Sequence, residues 1–300
     1  MTAMIASAEE PDILALDASH AKGLSKLIEV SHSDPIDLMT NIPWHLGVNR
    51  RLPPRILNHS WLYGTKYYDG LTGDQKLELS WLEIARDVAM FISLEQFLPI
   101  LYVGFTQKYT GTISNDIAEY LLIFSREEIS HTLMFKRYQK TAGLKDYRPM
   151  TGGLVDVLPT MHPIAGVLFT LLVEWIAELG AMYSTQSDEV DPLTRQLFYR
   201  HHVDEARHIA FGRWLVERHF ATHPEEELVE LRQMARNLLD VQIPGFTFNR
   251  EVIPLTSFDF PFADDDEEAI NAVLGSNANA ALNNKRFGPL LTWLERAGVL

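Results

Sequence analysis

Two Glu-x-x-His steps, Glu128 with His131 and Glu205 with His208, each set a carboxylate and an imidazole three residues apart. On a helix that spacing turns both side chains to one face, so both reach a single metal ion. Each step follows a lone glutamate in an apolar stripe: Glu95 before the first, Glu174 before the second. A carboxylate-bridged di-iron or di-manganese centre in a four-helix bundle needs this inventory, one Glu from each of two helices and Glu-x-x-His from each of the other two. One such step alone carries little weight; two, each in register with its own apolar stripe, carry much more. Oxygen-rich ligation with one or two imidazoles per ion suits iron or manganese better than structural zinc.

Further polar residues share these faces. His201, four residues before Glu205 and seven before His208, is a candidate third imidazole, the alternative being a buried histidine at the rim of the core. His202 points about a quarter-turn away and is not expected to ligate. Glu127 and Asp204 each lie four residues before the histidine of their own helix, a spacing that lets them accept the second ring N–H of His131 and His208. Their alternative is ordinary surface acidity. On the third helix both Glu174 and Glu178 face inward. Glu174 and Glu205 are nearly symmetric about the 187–191 turn, as Glu95 and Glu128 are about the 110–114 turn, and an antiparallel hairpin would set each pair at one height. Glu178 fails that symmetry, so Glu174 is taken as ligand and Glu178 as a polar group one turn away, near substrate or a proton path.

Heptad-spaced helices must present these groups. The first is expected over about Asp74–Gln107, started by a Thr72/Gln75 capping box and bent by Pro99, with the stripe Leu77, Trp81, Ile84, Val88, Phe91, Glu95, Leu98, Tyr102 and Phe105. The second runs from a Ser114 cap to about Gln139, with Ile117, Leu121, Phe124, Glu128, His131 and Phe135 inward. The Gly- and Pro-rich stretch Gly143–Pro163 reads as the one long crossover of such a bundle. The third helix covers about Ile164–Thr185, with Val167, Leu171 and Ala181 beside the two glutamates, and the fourth covers Leu193 to about Thr222. A short helix within Asp12–Val30 precedes the bundle, and helices at 224–241, 266–275 and 287–298 follow it, with Pro244, Pro254 and Pro261 in the loops between. The expectation is an all-α, ferritin-like four-helix bundle with a di-metal centre. It forms one domain over 1–300, with a core at about 74–222, an arm at 1–73 and C-terminal helices at 223–300.

Composition narrows the chemistry. With 46% hydrophobic residues among 300, one sizeable core is available. Cys is absent, which excludes disulfides, thiolate zinc sites and any cysteine-held iron–sulfur cluster in this chain, so reducing electrons must come from an external donor. A net charge of −14 speaks against nucleic acid. The run Asp264–Glu268 reads as an acidic helix N-terminus. No apolar run long enough to span a bilayer and no secretory signal are read, so a cytoplasmic protein is expected.

The segments SLEQF (Glu95), REEISH (Glu128, His131), LLVEW (Glu174) and HHVDEARH (His201, Glu205, His208) resemble the di-iron arylamine N-oxygenases, the para-aminobenzoate N-oxygenase-like family of the ferritin-like superfamily. The likeness is read over about 75–220, roughly half the chain, and the histidine one turn before the last Glu-x-x-His is its most discriminating feature. It implies that the seven residues hold two irons, with Mn/Fe as the other loading, and that the centre uses O2 to oxidise an amine or related small molecule. It implies an external electron donor of the ferredoxin/reductase kind and admits a homodimer. No catalytic residue beyond the metal centre is singled out. Walls of a substrate pocket are sought at Phe91, Leu94, Phe97, Leu98, Phe124 and Leu171. Rival readings are a hydroxylase of another small molecule, an iron-storing or sensing bundle, a radical-generating subunit using Tyr102 or Tyr120, and a metal-free scaffold.

Overall fold

A computed structural model describes residues 14–147, 161–247 and 249–300, without the side chains of 179–181. Ten α-helices are found among them: α1 Ala18–Ser33, α2 Lys66–Asp69, α3 Gly73–Glu95, α4 Leu98–Lys108, α5 Asn115–Ala142, α6 Pro163–Thr185, α7 Pro192–Thr222, α8 Glu225–Thr247, α9 Glu267–Leu274 and α10 Asn277–Arg296. Short 3₁₀ turns occur at Trp44–Leu46, Leu57–His59 and Arg250–Leu255. The only β feature among the described residues is an isolated bridge between Leu14 and Ile113. The fold is all-α, a helical bundle of the ferritin-like kind, built from α3 with α4, α5, α6 and α7. Helix α1 lies on α5 and α7, while α8 and α10 pack on α6.

Local chemistry sets the helix ends. Thr72 and Gln75 form the expected capping box, each side chain bonded to the other's backbone N–H. The bend foreseen at Pro99 is a full break: α3 stops at Glu95 and α4 restarts at Leu98, because proline cannot donate to the Glu95 carbonyl. Asp191 caps α7 by accepting from Thr194 N at 2.9 Å, and its other oxygen accepts from Asn49 N at 2.8 Å, which ties the arm to the bundle.

Several boundaries differ from the sequence expectation. Helix α1 begins at Ala18, where Asp17 caps it, rather than near Asp12; residues 1–13 lie outside the described part, as does 148–160 of the crossover. Helix α8 runs on to Thr247 with Pro244 inside it, so that proline does not mark a loop. Helix α10 starts ten residues earlier than expected, at the Ser276 cap, and likewise carries Pro289 inside. The stretch Gly73–Lys108 is long and apolar enough to cross a membrane, contrary to expectation, but 72% of its most apolar window is buried within the protein.

The predicted stripes are the buried faces: among the named positions of α3 to α5 only Leu77 is half-buried. The apolar core divides in two around the glutamates and histidines. One side gathers Trp81, Ile84, Val88, Phe91, Phe135 and Phe198; the other gathers Leu98, Tyr102, Phe124, Leu171 and Phe211. A polar layer therefore lies across the bundle between two apolar layers.

Candidate metal centre

Each of the four helices supplies this layer at one level. The seven singled-out side chains converge from α3 (Glu95), α5 (Glu128, His131), α6 (Glu174) and α7 (His201, Glu205, His208). All seven are buried; Glu128 and His131 are 0% exposed. They form two adjoining groups, Glu95–His131–His201 and Glu128–Glu174–Glu205–His208, and within each group one ligand atom per residue lies within 4.8 Å of the others. Glu174, not Glu178, belongs to the second group.

Glu205 and Glu128 reach both groups. Glu205 Oε1 is 3.1 Å from His131 Nδ1, 3.3 Å from His201 Nε2 and 3.5 Å from His208 Nδ1. Glu128 Oε1 is 3.1 Å from His208 Nδ1 and 3.5 Å from His131 Nδ1. Glu95 meets only His201, at 3.0 Å, and Glu174 only His208, at 3.9 Å. Two carboxylates thus sit between the groups and two at their outer ends.

Each imidazole is held from behind by a carboxylate, but not as the spacing suggested. His131 Nε2 donates to Asp204 Oδ2 at 3.3 Å, and His208 Nε2 donates to Glu127 Oε2 at 2.8 Å. The supports therefore cross between α5 and α7, rather than each histidine turning to the acid four residues back on its own helix. Arg207 joins them, reaching Asp204 Oδ1 at 2.6 Å and Glu127 Oε1 at 3.0 Å, and its Nε donates to buried Ser31 of α1 at 3.0 Å. Arg207 went unread in the sequence, although its place three residues after Asp204 could have drawn notice. Glu178 accepts from His201 Nδ1 at 3.1 Å and also from His202 Nδ1. His202 thus stands behind Glu178 and away from the two groups.

Electrostatics and hydrogen bonding both leave room for cations. Burial pushes the Glu174 carboxyl well above its usual range, with Glu205 adding to the rise, and burial lifts Glu95 to about 7. Burial also works against charge on Glu205, but His201 and His208 outweigh it and hold that carboxyl well below the ordinary value. The imidazoles are pulled the opposite way to their own burial: surrounding carboxylates raise His131 and His208 well above the usual value and His201 to about 10. Both oxygens of Glu128 and of Glu174, one each of Glu95 and Glu205, and Nδ1 of His131 and His208 are buried with no hydrogen-bond partner. Buried polar atoms are nearly always satisfied, and an unsatisfied one costs about 1–3 kcal/mol. These atoms all border one small volume and form a donor set that fits two oxygen-loving transition-metal ions.

A cavity opens beside the groups, lined by Phe91, Leu94, Leu98, Val173 and Ala177 together with Glu95, Glu128, Glu174, His201 and Glu205. Of the six expected walls, Phe91, Leu94 and Leu98 are there. Phe124 is instead stacked on the His208 ring, centroids 3.6 Å apart, while Phe97 and Leu171 are buried in the apolar core.

Comparison with known families agrees with this architecture: the model of the p-aminobenzoate N-oxygenase AurF family matches residues 17–298. The chain belongs to the AurF family. It is an oxidoreductase, a di-iron oxygenase, as that family is. The match is much wider than the 75–220 read from motifs, and takes in α1, which carries Ser31, as well as α8 to α10. Among curated proteins no relative matches the chain.

Proposed function

We propose that this AurF-family chain is a non-haem di-iron oxygenase that uses O2 to N-oxygenate an arylamine, through hydroxylamine towards nitroso or nitro product. The seven buried residues would hold the two irons: Glu128 and Glu205, between the two groups, and Glu95 and Glu174, at their outer ends, would supply the carboxylates, and His131, His201 and His208 the nitrogens. The observation that carries this reading is the set of unpartnered carboxylate oxygens and imidazole nitrogens bordering one volume. Once bound, a reduced iron pair supplies the electrons and Lewis acidity for O2 activation. A mixed Mn/Fe pair would use the same donors.

The protein's own part is geometric. Asp204 and Glu127 fix the tautomers of His131 and His208 by accepting hydrogen bonds from Nε2–H, so that Nδ1 faces the candidate ion volume; Glu178 does the reverse for His201, leaving Nε2 inward. Phe91, Leu94 and Leu98 keep the reacting nitrogen in apolar surroundings. The first oxidation takes R–NH2, O2, two electrons and two protons to R–NHOH and water. Without cysteine the chain holds no iron–sulfur relay of its own, so the electrons arrive from an external donor.

Iron content by plasma mass spectrometry, with product analysis after supplying an arylamine, reductant and isotopically labelled O2, tests this. About two irons per chain are expected, with one labelled oxygen on nitrogen at the hydroxylamine or nitroso stage and two in a nitro product. Many irons per chain would turn the reading to storage, and no iron after iron-replete expression would end it.

A further inference from the structure

Helix α1 lies outside the four-helix bundle, across α5 and α7, and contributes none of the seven candidate ligands. Its last turn nevertheless carries a serine turned into the protein: Ser31 is 0% exposed. Ser25 and Ser33 on the same helix turn their hydroxyls back onto α1 carbonyls, Ala21 O at 3.2 Å and Val30 O at 3.1 Å, as helical serines commonly do. The Ser31 hydroxyl instead reaches α7 and accepts from Arg207 Nε at 3.0 Å.

Two more arginines hold this end of α1. Arg126 of α5 donates to the Ser31 carbonyl at 2.7 Å, and Arg200 of α7 donates to the Asp34 carbonyl at 2.7 Å and its carboxylate at 2.9 Å. The open carbonyls and partial negative charge of a helix C-terminus suit such cations. Of the three, Arg207 alone hydrogen-bonds the acids behind the histidines; Arg126 stops 3.6 Å from Glu127.

What Arg207 does there depends on its plane. Its Nη2 carries two N–H groups, and one acid takes each: Asp204 Oδ1 at 2.6 Å and Glu127 Oε1 at 3.0 Å. The other oxygen of each acid holds a different imidazole, that of His131 on Asp204 and that of His208 on Glu127. One guanidinium nitrogen therefore stands behind a histidine of each group in the centre. Bonded at that nitrogen alone, the rigid fork could turn about it, and a turn towards one acid is a turn away from the other. Two further bonds stop that rotation: Nη1 to the Val203 carbonyl at 3.2 Å, on the arginine's own helix, and Nε to Ser31.

We propose that Ser31 is a positioning residue for the metal centre: by fixing the plane of Arg207 it sets the orientation of His131 and His208 together, so that α1 tunes both metal positions from outside the bundle. The metal part rests on the di-iron reading above. The hydrogen-bond chain from Ser31 to the two imidazoles does not.

The test uses the full chain in two states. In the metal-free, 15N-histidine-labelled protein, NMR reads the Nε2–H signals of His131 and His208, assigned by replacing each histidine in turn. Ser31→Ala shifts both signals. Asp34→Ala, which loosens the same helix end from Arg200 but leaves Arg207 bonded, shifts neither. In the iron-loaded protein, competition with a ferrous chelator reads affinity. Ser31→Ala weakens both binding steps about three- to tenfold, within the range of one hydrogen bond, and Asp34→Ala leaves them unchanged. Arg207→Lys has no donor at the Nε position, so adding Ser31→Ala to it has no further effect in a double-mutant cycle. A shift of one imidazole signal alone, or of neither, would overturn the proposal. So would equal effects of Ser31→Ala and Asp34→Ala, which would reduce α1 to a cover, or full additivity of Ser31→Ala with Arg207→Lys. Should Arg207→Lys fail to fold, the comparison of Ser31→Ala with Asp34→Ala decides. Both signals shifting in a chain that binds no iron would sink the functional reading and leave the placement of Ser31 standing.

Discussion

Two histidine groups both draw on helix α7 and behave in opposite ways. His131, His201 and His208 stand among carboxylates, which hold all three imidazoles above their ordinary range. His162, His219 and His223 stand mainly among themselves, about 16 Å further along α7 from His208 to His219. There the His219 and His223 rings stack with centroids 3.7 Å apart, and His162 lies 6.5 Å from His219. Burial, then His223 and His162, lower His219 to about 4. Glu227 and Glu230 line the open cavity beside them, but no three ligand atoms converge there among the described residues. Nearness of histidines is therefore a poor guide to a metal site; the deciding feature is inward carboxylates whose oxygens nothing else satisfies.

The strongest blow to the contrast comes at a carboxylate between the two groups. Glu205→Ala is expected to reduce iron from about two per chain to almost none, whereas Glu95→Ala, at an outer end, keeps about one. Equal loss in both, read by metal analysis, would break the division into central and outer positions. Next in size, His201→Ala lowers iron content more than His202→Ala, and His219→Ala leaves it unchanged. Equal behaviour of His201 and His202 variants would remove His201 from the ligand set.

Smaller effects sharpen the crossed supports. Asp204→Asn and Glu127→Gln each weaken iron binding by about 10- to 100-fold. In a stepwise iron titration Asp204→Asn acts on the step involving His131 and Glu127→Gln on that involving His208. The opposite pairing would mean that the same-helix arrangement is the true one. Because the metal-free imidazoles are raised, His201 to about 10, they carry protons near pH 7.5 that loading must expel. Calorimetry in buffers of differing ionisation heat should show that release.

The smallest effect belongs to the remote group. His219 has a folded value of about 4, below its ordinary 6.5, so the unfolded chain binds more protons between those values. Stability from this residue is complete above 6.5 and declines as pH falls towards 4. Thermal melts of His219→Gln across that window should show a slightly shallower decline; its half-exposed position keeps the difference small.

Much of the bundle could be read from period alone, because a stripe such as Ile117, Leu121, Phe124, Phe135 admits only one buried helix face, and Glu128 and His131 are carried on it. Glu174 over Glu178 followed from the level of two residues about a turn, a one-dimensional argument that an antiparallel pair obeys. Chain-local signals misled at Pro244, where packing of α8 on the bundle outweighs the lost backbone bond. They were silent on Arg207 with Ser31, which lies far away in sequence.

By itself the amino-acid order determined which side chains face inward and at what height along each rod, since helical periodicity depends only on neighbours in the chain. Which acid supports which histidine, and which hydroxyl holds the arginine behind both acids, was decided by tertiary structure. Those pairings depend on how α5 turns against α7 and on where α1 comes to rest. Such rotations and dockings are set by packing between segments distant in sequence, and no local spacing records them.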